Sequence, residues 1–310
     1  MRPKTLFWTM AWTFFLLISG SFVLVDAFVL PHQGEVVYTA SAMNTQSSIE
    51  SSSPNTSESA DSKDVSIETT SGGYYYQDAN MTISIVEAYD FNSVYYVADI
   101  VVSDPELLKT ALAYDTYGQN YVQTTSQIAE AHKAIFAVNG DYYGFRSQGI
   151  VMRNGQILRT SVGNATSGDA LLILEDGRLL TMDESEIPLD QLETMGVEDI
   201  LSFGPTLLEN GEIVANTTKN STRANPRTAI GQIDANHFII IVVDGRTNLS
   251  QGMTTDELAQ IFKSLGCTSA YNLDGGGSST MWFQGEVINN PTDGKSAGER
   301  KVSDILYFGY

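Results

Sequence analysis

Basic residues, cysteine and histidine are scarce in this chain, and each shortage removes a class of function. Lys and Arg number 17 against 37 Asp and Glu, giving a formal net charge of -20. A phosphate backbone demands a basic footprint, so nucleic-acid binding is excluded. The same charge opposes adhesion of the body to an anionic membrane surface. A single cysteine, Cys267, allows neither an intrachain disulfide nor a cysteine-built zinc site. The three histidines, His32, His132 and His237, stand in no local motif that would activate that thiol. Cys267 therefore reads as a small buried residue.

What the chain does have is a β-rich, turn-rich body. Hydrophobic residues make up 42% of 310, with 26 glycines and 15 tyrosines, enough for the core of one domain. At the start, Arg2 and Lys4 precede an uncharged apolar run from Leu6 to Val25, followed by Asp26. That run approaches the length of a membrane-crossing helix, and the basic residues before it place the remainder outside the cytoplasm. Residues 1–31 are thus expected to form a single-pass membrane anchor, or alternatively a signal peptide cleaved near Ala27 to give a secreted protein. Export without disulfides suits a bacterial cell surface. Residues 32–73 are rich in Ser, Thr and Asn and are expected to be a disordered stalk. The globular body is expected over 74–310.

Within the body, Ser84 to Val102 alternates and predicts strands. Asp104-Pro105-Glu106 predicts a helix start with Leu107, Leu108 and Leu112 on its apolar side. Ser126 to Lys133 reads as a helix leading into the apolar run Ala134 to Val138. Asn154-Gly155 and Asp176-Gly177 predict hairpin turns. Phe238 to Val243 reads as a buried strand, Thr254-x-x-Glu257 as a capping box opening a helix closed by Gly266, and Ser269 to Leu273 as the next strand. The expected fold class is α+β or mixed α/β: a central mixed sheet with flanking helices, a β-rich region, and one parallel strand–helix–strand unit near the C-terminus. In that arrangement Asp244 and Asp274 end parallel strands at one edge of the sheet, where ligands usually bind. Asn139-Gly140-Asp141 is a third contributor if its strand runs the same way.

The most informative stretch is Asn272-Leu273-Asp274-Gly275-Gly276-Gly277-Ser278-Ser279-Thr280. Three glycines pack nothing, so a fold keeps them where another group approaches the main chain. Successive backbone N–H groups there can form an anion nest, with Ser278 and Ser279 as further donors. Apolar flanks, Ala270-Tyr271 and Met281-Trp282-Phe283, set it apart from a flexible linker.

Four segments line up: Asn139-Gly140-Asp141-Tyr142-Tyr143, Pro226-Arg227-Thr228-Ala229-Ile230-Gly231, Val243-Asp244-Gly245-Arg246 and this loop. With Ser202-Phe203-Gly204-Pro205, Gly252-Met253-Thr254 and Glu299-Arg300-Lys301-Val302, they resemble the phosphodiester glycosidase family over roughly Tyr74 to Tyr310. The chain looks like a bacterial, exopolysaccharide-type member of that family. Where many members carry a second glycine and phenylalanines after Asn-Gly, it has Asp141, Tyr142 and Tyr143, which marks Asp141 as a subgroup feature.

The resemblance implies a hydrolase that cleaves the glycosidic C–O bond of a sugar-1-phosphodiester on cell-surface or exopolysaccharide glycans. It would release free sugar and leave a phosphomonoester. Asp244, Asp274 and Asp141 are the candidate catalytic carboxylates. Asn139, Arg227, Thr228, Arg246, Gly275, Gly276, Gly277, Ser278 and Ser279 are candidates for holding substrate and phosphate. Tyr142, Tyr143 and Trp282 are weaker candidates for stacking on sugar. Each has a plainer reading: the aspartates as turn caps, Arg227 as an ion-pair partner, the aromatics as packing. No cofactor is assigned, and clustered carboxylates could hold calcium or magnesium. The alternatives are a non-catalytic glycan- or phosphate-binding surface domain and a phosphodiesterase that cuts the P–O bond.

Overall fold

The computed structural model describes residues 73–162, 168–214, 222–294 and 296–310, with the backbone of two further short strands, His32–Gln33 and Ser66–Thr70. The elements that carry the site are, in chain order, β1 (Met81–Asp90), β2 (Ser93–Val102), α1 (Thr125–Ala131), β3 (Phe136–Asn139), β4 (Arg227–Asp234), β5 (His237–Val243), α2 (Thr255–Ser264), β6 (Ser269–Asn272), β7 (Met281–Phe283) and β8 (Asp304–Phe308).

Among the described residues a nine-stranded sheet runs in the order Glu212–Ile213, Thr206–Glu209, β6, β4, β5, β2, β1, Gly73–Gln77, Ser66–Thr70. A five-stranded sheet, Glu286–Val287, β7, β3, β8, Leu108–Leu112, lies across it. Their facing sides share one core, with Ile83, Ile85, Ile100, Ile240 and Tyr271 from the first and Phe136, Val138, Met281 and Phe308 from the second. Leu171, Ile173 and Leu201, from another five-stranded sheet, complete that core. The outer sides are covered by helices. Leu258 and Phe262 of α2 pack on Ile239, Ile241 and Val243, and Ile128 and Ala129 of α1 pack with Ala137 and Ile305.

This architecture corrects the expected mixed sheet. The structure is mostly β, and every strand pairing among the described residues is antiparallel. No parallel strand–helix–strand unit forms among the described residues, because β4 inserts between β5 and β6 and pairs antiparallel with each. The misleading signal was the unbroken apolar run of β5. Phe238, Ile240 and Val242 enter the core between sheets, whereas Ile239, Ile241 and Val243 lie under α2. Such a run reports burial on both faces, which parallel sheets usually show, but says nothing of strand direction. Two antiparallel steps still leave β5 and β6 pointing the same way. Asp244 and Asp274 therefore leave the sheet at one edge, the edge where β4 begins with Arg227.

A second correction concerns Asp104 to Leu112. The Asp104 carboxylate accepts from the Glu106 N–H at 3.0 Å, but the helix it caps is one 3-10 turn, Pro105–Leu107. Leu108–Leu112 is then a strand paired with β8. The single-pass membrane assignment is also withdrawn: no helix among the described residues is long and apolar enough to cross a membrane. The Leu6 to Val25 run itself lies outside the described residues. Most of the expected stalk lies outside them too, and the strand Ser66–Thr70 pairs with Gly73–Gln77 ahead of the expected start at Tyr74.

The capping box on α2 forms as its sequence predicts. Thr254 Oγ1 accepts from the Glu257 N–H at 3.2 Å, and Glu257 Oε2 accepts from the Thr254 N–H at 2.8 Å. Thr254→Ala orphans one donor of the first turn, so chemical denaturation should show a loss of about 1 kcal/mol.

Candidate active site

The site forms where the ends of β3, β5 and β6 meet the start of β4. Asn139, the last residue of β3, is fully buried and ties the two sheets together. Its Nδ2 donates to the Asp274 carbonyl at 2.7 Å, while its Oδ1 accepts from Thr228 Oγ1 at 2.7 Å and from the Thr280 N–H at 3.2 Å. The Asp274 N–H donates to the Gly140 carbonyl at 3.1 Å. Asn139, Gly140 and Thr228 thus fix the main chain on either side of the glycine turn.

Within that turn each glycine lies against another group. A Cβ on Gly275 would meet the Pro226 carbonyl oxygen at 2.8 Å. Gly276 has φ +63°, and a Cβ there would lie 2.8 Å from an Arg246 Nη. On Gly277 it would lie 2.6 Å from Asp293 Oδ1 and 2.8 Å from an Arg300 Nη. Two guanidinium groups therefore rest over adjacent glycines. The turn is a single 3-10 step closed by the Ser278 and Ser279 N–H groups donating to the Gly275 and Gly276 carbonyls at 3.2 and 3.3 Å.

Asp274 is buried, and burial pushes its carboxyl up to about 6. Hydrogen bonds from Ser278 and from the Gly275 N–H, the latter at 2.8 Å, oppose that rise, as does the charge of Arg300; Asp141 adds to it. Asp274 therefore changes charge close to neutral pH.

Asp244 is also buried, which raises its carboxyl, with Asn289 and Asn290 pulling it back. Its Oδ1 accepts from Asn289 Nδ2 at 2.9 Å and from the Asn290 N–H at 3.0 Å. Asn289 Nδ2 also donates to the Ser279 carbonyl at 3.1 Å, so Asp244 grips the far end of the glycine loop. Ser279 Oγ and Thr280 Oγ1 are buried without a hydrogen-bond partner among the described residues.

Asp141 is held in a different network. Its Oδ1 accepts from Arg146 at 3.0 Å and from the Tyr142 N–H, and its Oδ2 accepts from the Ser202 N–H at 2.9 Å. Its own N–H donates to Asp304 Oδ1 at 2.8 Å. Asp304 pairs with the buried Arg153, which also donates to the Met152 carbonyl at 2.8 Å. Burial pushes Asp304 up, Arg153 pulls it back, and Asp141 adds to the rise.

The predicted basic residues separate. Arg246 is exposed and lies on the turn. Arg227 is buried, which lowers its pKa to about 10. Its Nε donates to the Met253 carbonyl at 3.0 Å and an Nη to the Arg223 carbonyl at 2.8 Å, so it braces two chain segments at the sheet edge. Of the predicted aromatics, Tyr143 is buried, stacked on Tyr117 at 5.5 Å and under the Arg153 guanidinium at 5.7 Å. Trp282 is buried with Ala137 and Ile305. Tyr142 is half-buried and stacks on the exposed Phe145 at 4.9 Å.

Sequence reasoning passed over Arg300 and Asp293. Arg300 Nε and Nη2 donate to Asp293 Oδ1 at 3.1 and 2.6 Å, beside Gly277 and within electrostatic reach of Asp274. Arg300 was visible within Glu299-Arg300-Lys301-Val302, but nothing local distinguished it from Glu299. That neighbour turns out to anchor α1, its Oε1 accepting from the Ser126 N–H at 3.0 Å. Among the described residues, no three His, Cys, Asp or Glu side chains are grouped to hold a metal.

A SPbeta prophage-derived uncharacterized protein of Bacillus subtilis, YomE, is 30% identical over 240 residues, 70% of this chain and 36% of that protein. The N-acetylglucosamine-1-phosphodiester alpha-N-acetylglucosaminidase of Mus musculus is 28% identical over 179 residues, 51% of this chain and 33% of that one. The chain thus spans about a third of the length of these relatives. The zebrafish N-acetylglucosamine-1-phosphodiester alpha-N-acetylglucosaminidase catalytic domain, solved auto-inhibited by its pro-peptide, shares the fold with a TM-score of 0.60. It is 24% identical, covering 74% of this chain and 83% of that one. The profile of the phosphodiester glycosidase family matches residues 132–309, from the residue after α1 through β8, and the chain belongs to that family.

Proposed function

We propose that this protein hydrolyses a sugar-1-phosphodiester at the anomeric carbon, with Asp274 as the base. The observation that carries the reading is a buried carboxyl titrating near 6, beside a glycine turn overlain by Arg246 and Arg300. Near pH 7 Asp274 is ionised and can accept a proton from water as the water oxygen bonds to C1. The C1–O bond breaks, and its electron pair leaves on the phosphate oxygen. A phosphomonoester is a good leaving group, so one carboxylate suffices where a glycosidase with an alkoxide leaving group needs two. Arg246 and Arg300 are the proposed donors to the phosphate, with the Gly276 backbone close by. Arg227, Asn139 and Thr228 brace the turn in this reading, and Asp244 holds its wall through Asn289. Tyr142 with Phe145 is the proposed platform for the sugar.

The full chain should release free sugar and a phosphomonoester from a sugar-1-phosphodiester, and is also to be assayed on an exopolysaccharide with sugar-phosphate links. A base must be ionised, so kcat/KM should fall about tenfold per pH unit below an apparent pKa near 6, the value burial gives Asp274. A rate flat from pH 5 to 8, or no sugar released, would remove Asp274 from this role.

A further inference from the structure

Asp293 sits where a phosphate is proposed to bind. Its Oδ1 takes both Arg300 donors, at 3.1 and 2.6 Å, and lies 2.6 Å from where a Cβ on Gly277 would be. Arg246, over the neighbouring Gly276, is near enough to act on Asp293 electrostatically. Both side chains of the Asp293–Arg300 pair stay accessible, at 43% and 34% exposure, so a ligand can reach them. The carboxylate belongs to a short hairpin, Thr292–Asp293 with Ser296–Ala297, anchored where Thr292 Oγ1 donates to the Gly245 carbonyl at 2.9 Å. It is thereby tied to the Asp244 turn and held facing the cradle.

Resting on the reading that Arg246 and Arg300 receive the phosphate, we infer that Asp293 is a specificity-determining carboxylate, which admits a phosphodiester monoanion and disfavours a phosphomonoester dianion. Two guanidinium groups against the carboxylates of Asp293 and the ionised Asp274 leave the cradle with no surplus positive charge, which a diester monoanion tolerates better than a monoester dianion. The product of C–O cleavage carries nearly one further negative charge above pH 7. Asp293 repels that charge at close range, which speeds product departure. A unit charge about 4 Å away is worth at least about a fivefold change in binding even at the dielectric of water.

The test uses two ligands at pH 8, methyl phosphate as the dianion and dimethyl phosphate as the monoanion. Their dissociation constants are measured by NMR titration of the full-length wild type, Asp293→Asn and Asp293→Ala. Both variants should strengthen methyl phosphate binding at least about fivefold more than dimethyl phosphate binding, with unchanged melting. Equal shifts for the two ligands would make Asp293 a simple competitor for Arg300 and overturn the inference, as would no shift. Binding of neither phosphate to any of the three proteins would overturn it too. The catalytic reading stands or falls separately on sugar release.

Discussion

Asp274→Asn is expected to lower turnover by about 10²–10⁴, the range for losing a general base, without loss of stability. The side chain keeps its shape and can still accept from the Gly275 N–H, but it no longer takes a proton from water. The stability arm follows from the direction of the shift. A carboxyl raised by burial from 3.8 to about 6 disfavours the ionised form in the folded state. Its protonated form contributes fully below about 3.8, and that contribution disappears as pH rises through 6. Above that pH the ionised Asp274 costs on the order of 2–3 kcal/mol. The neutral amide should therefore melt at or above wild type at pH 8, and close to it at pH 4. A variant that is both inactive and much less stable at pH 8 would instead make Asp274 structural.

The largest stability effect should come from Arg153, which is not expected to touch substrate. Arg153→Met leaves Asp304 and Asp141 buried with their shared cation gone. Breaking such a pair costs about 3–5 kcal/mol, chiefly from the uncompensated charge left behind. Asp304 is already raised by burial, so the penalty should shrink as pH falls and the carboxyl neutralises. Arg178→Met provides the contrast, since its pair with Asp176 is 57% and 51% exposed and should be worth less than about 1 kcal/mol. Denaturant midpoints of the two variants across pH check both statements.

Much of the local structure was legible because its causes are local. The Asn154-Gly155 turn joins Val151–Arg153 to Gln156–Arg159, and Thr254 with Glu257 caps α2 as spaced. Strand direction was not legible. β5 is apolar on both faces whichever way its neighbours run, and only tertiary pairing places β4 beside it. Asp104-Pro105 gave a true cap, but the leucines after it belong to a strand. At the site, the close approach of other groups to the glycine turn could be read, because such an approach excludes side chains. Arg300 could not, since its importance comes from lying over Gly277, which follows from the return of the chain through β8. Trp282 and Tyr143 have the composition of sugar platforms, yet the sheets close over them.

The central claim is cleavage of carbon from oxygen at C1, and the fate of the water oxygen tests it most directly. The full-length protein should be incubated with a sugar-1-phosphodiester in ¹⁸O water, and the products separated by mass. Label in the released sugar, and none in the phosphomonoester, is the predicted result; label in the phosphate would mean that the P–O bond was cut and would contradict the account.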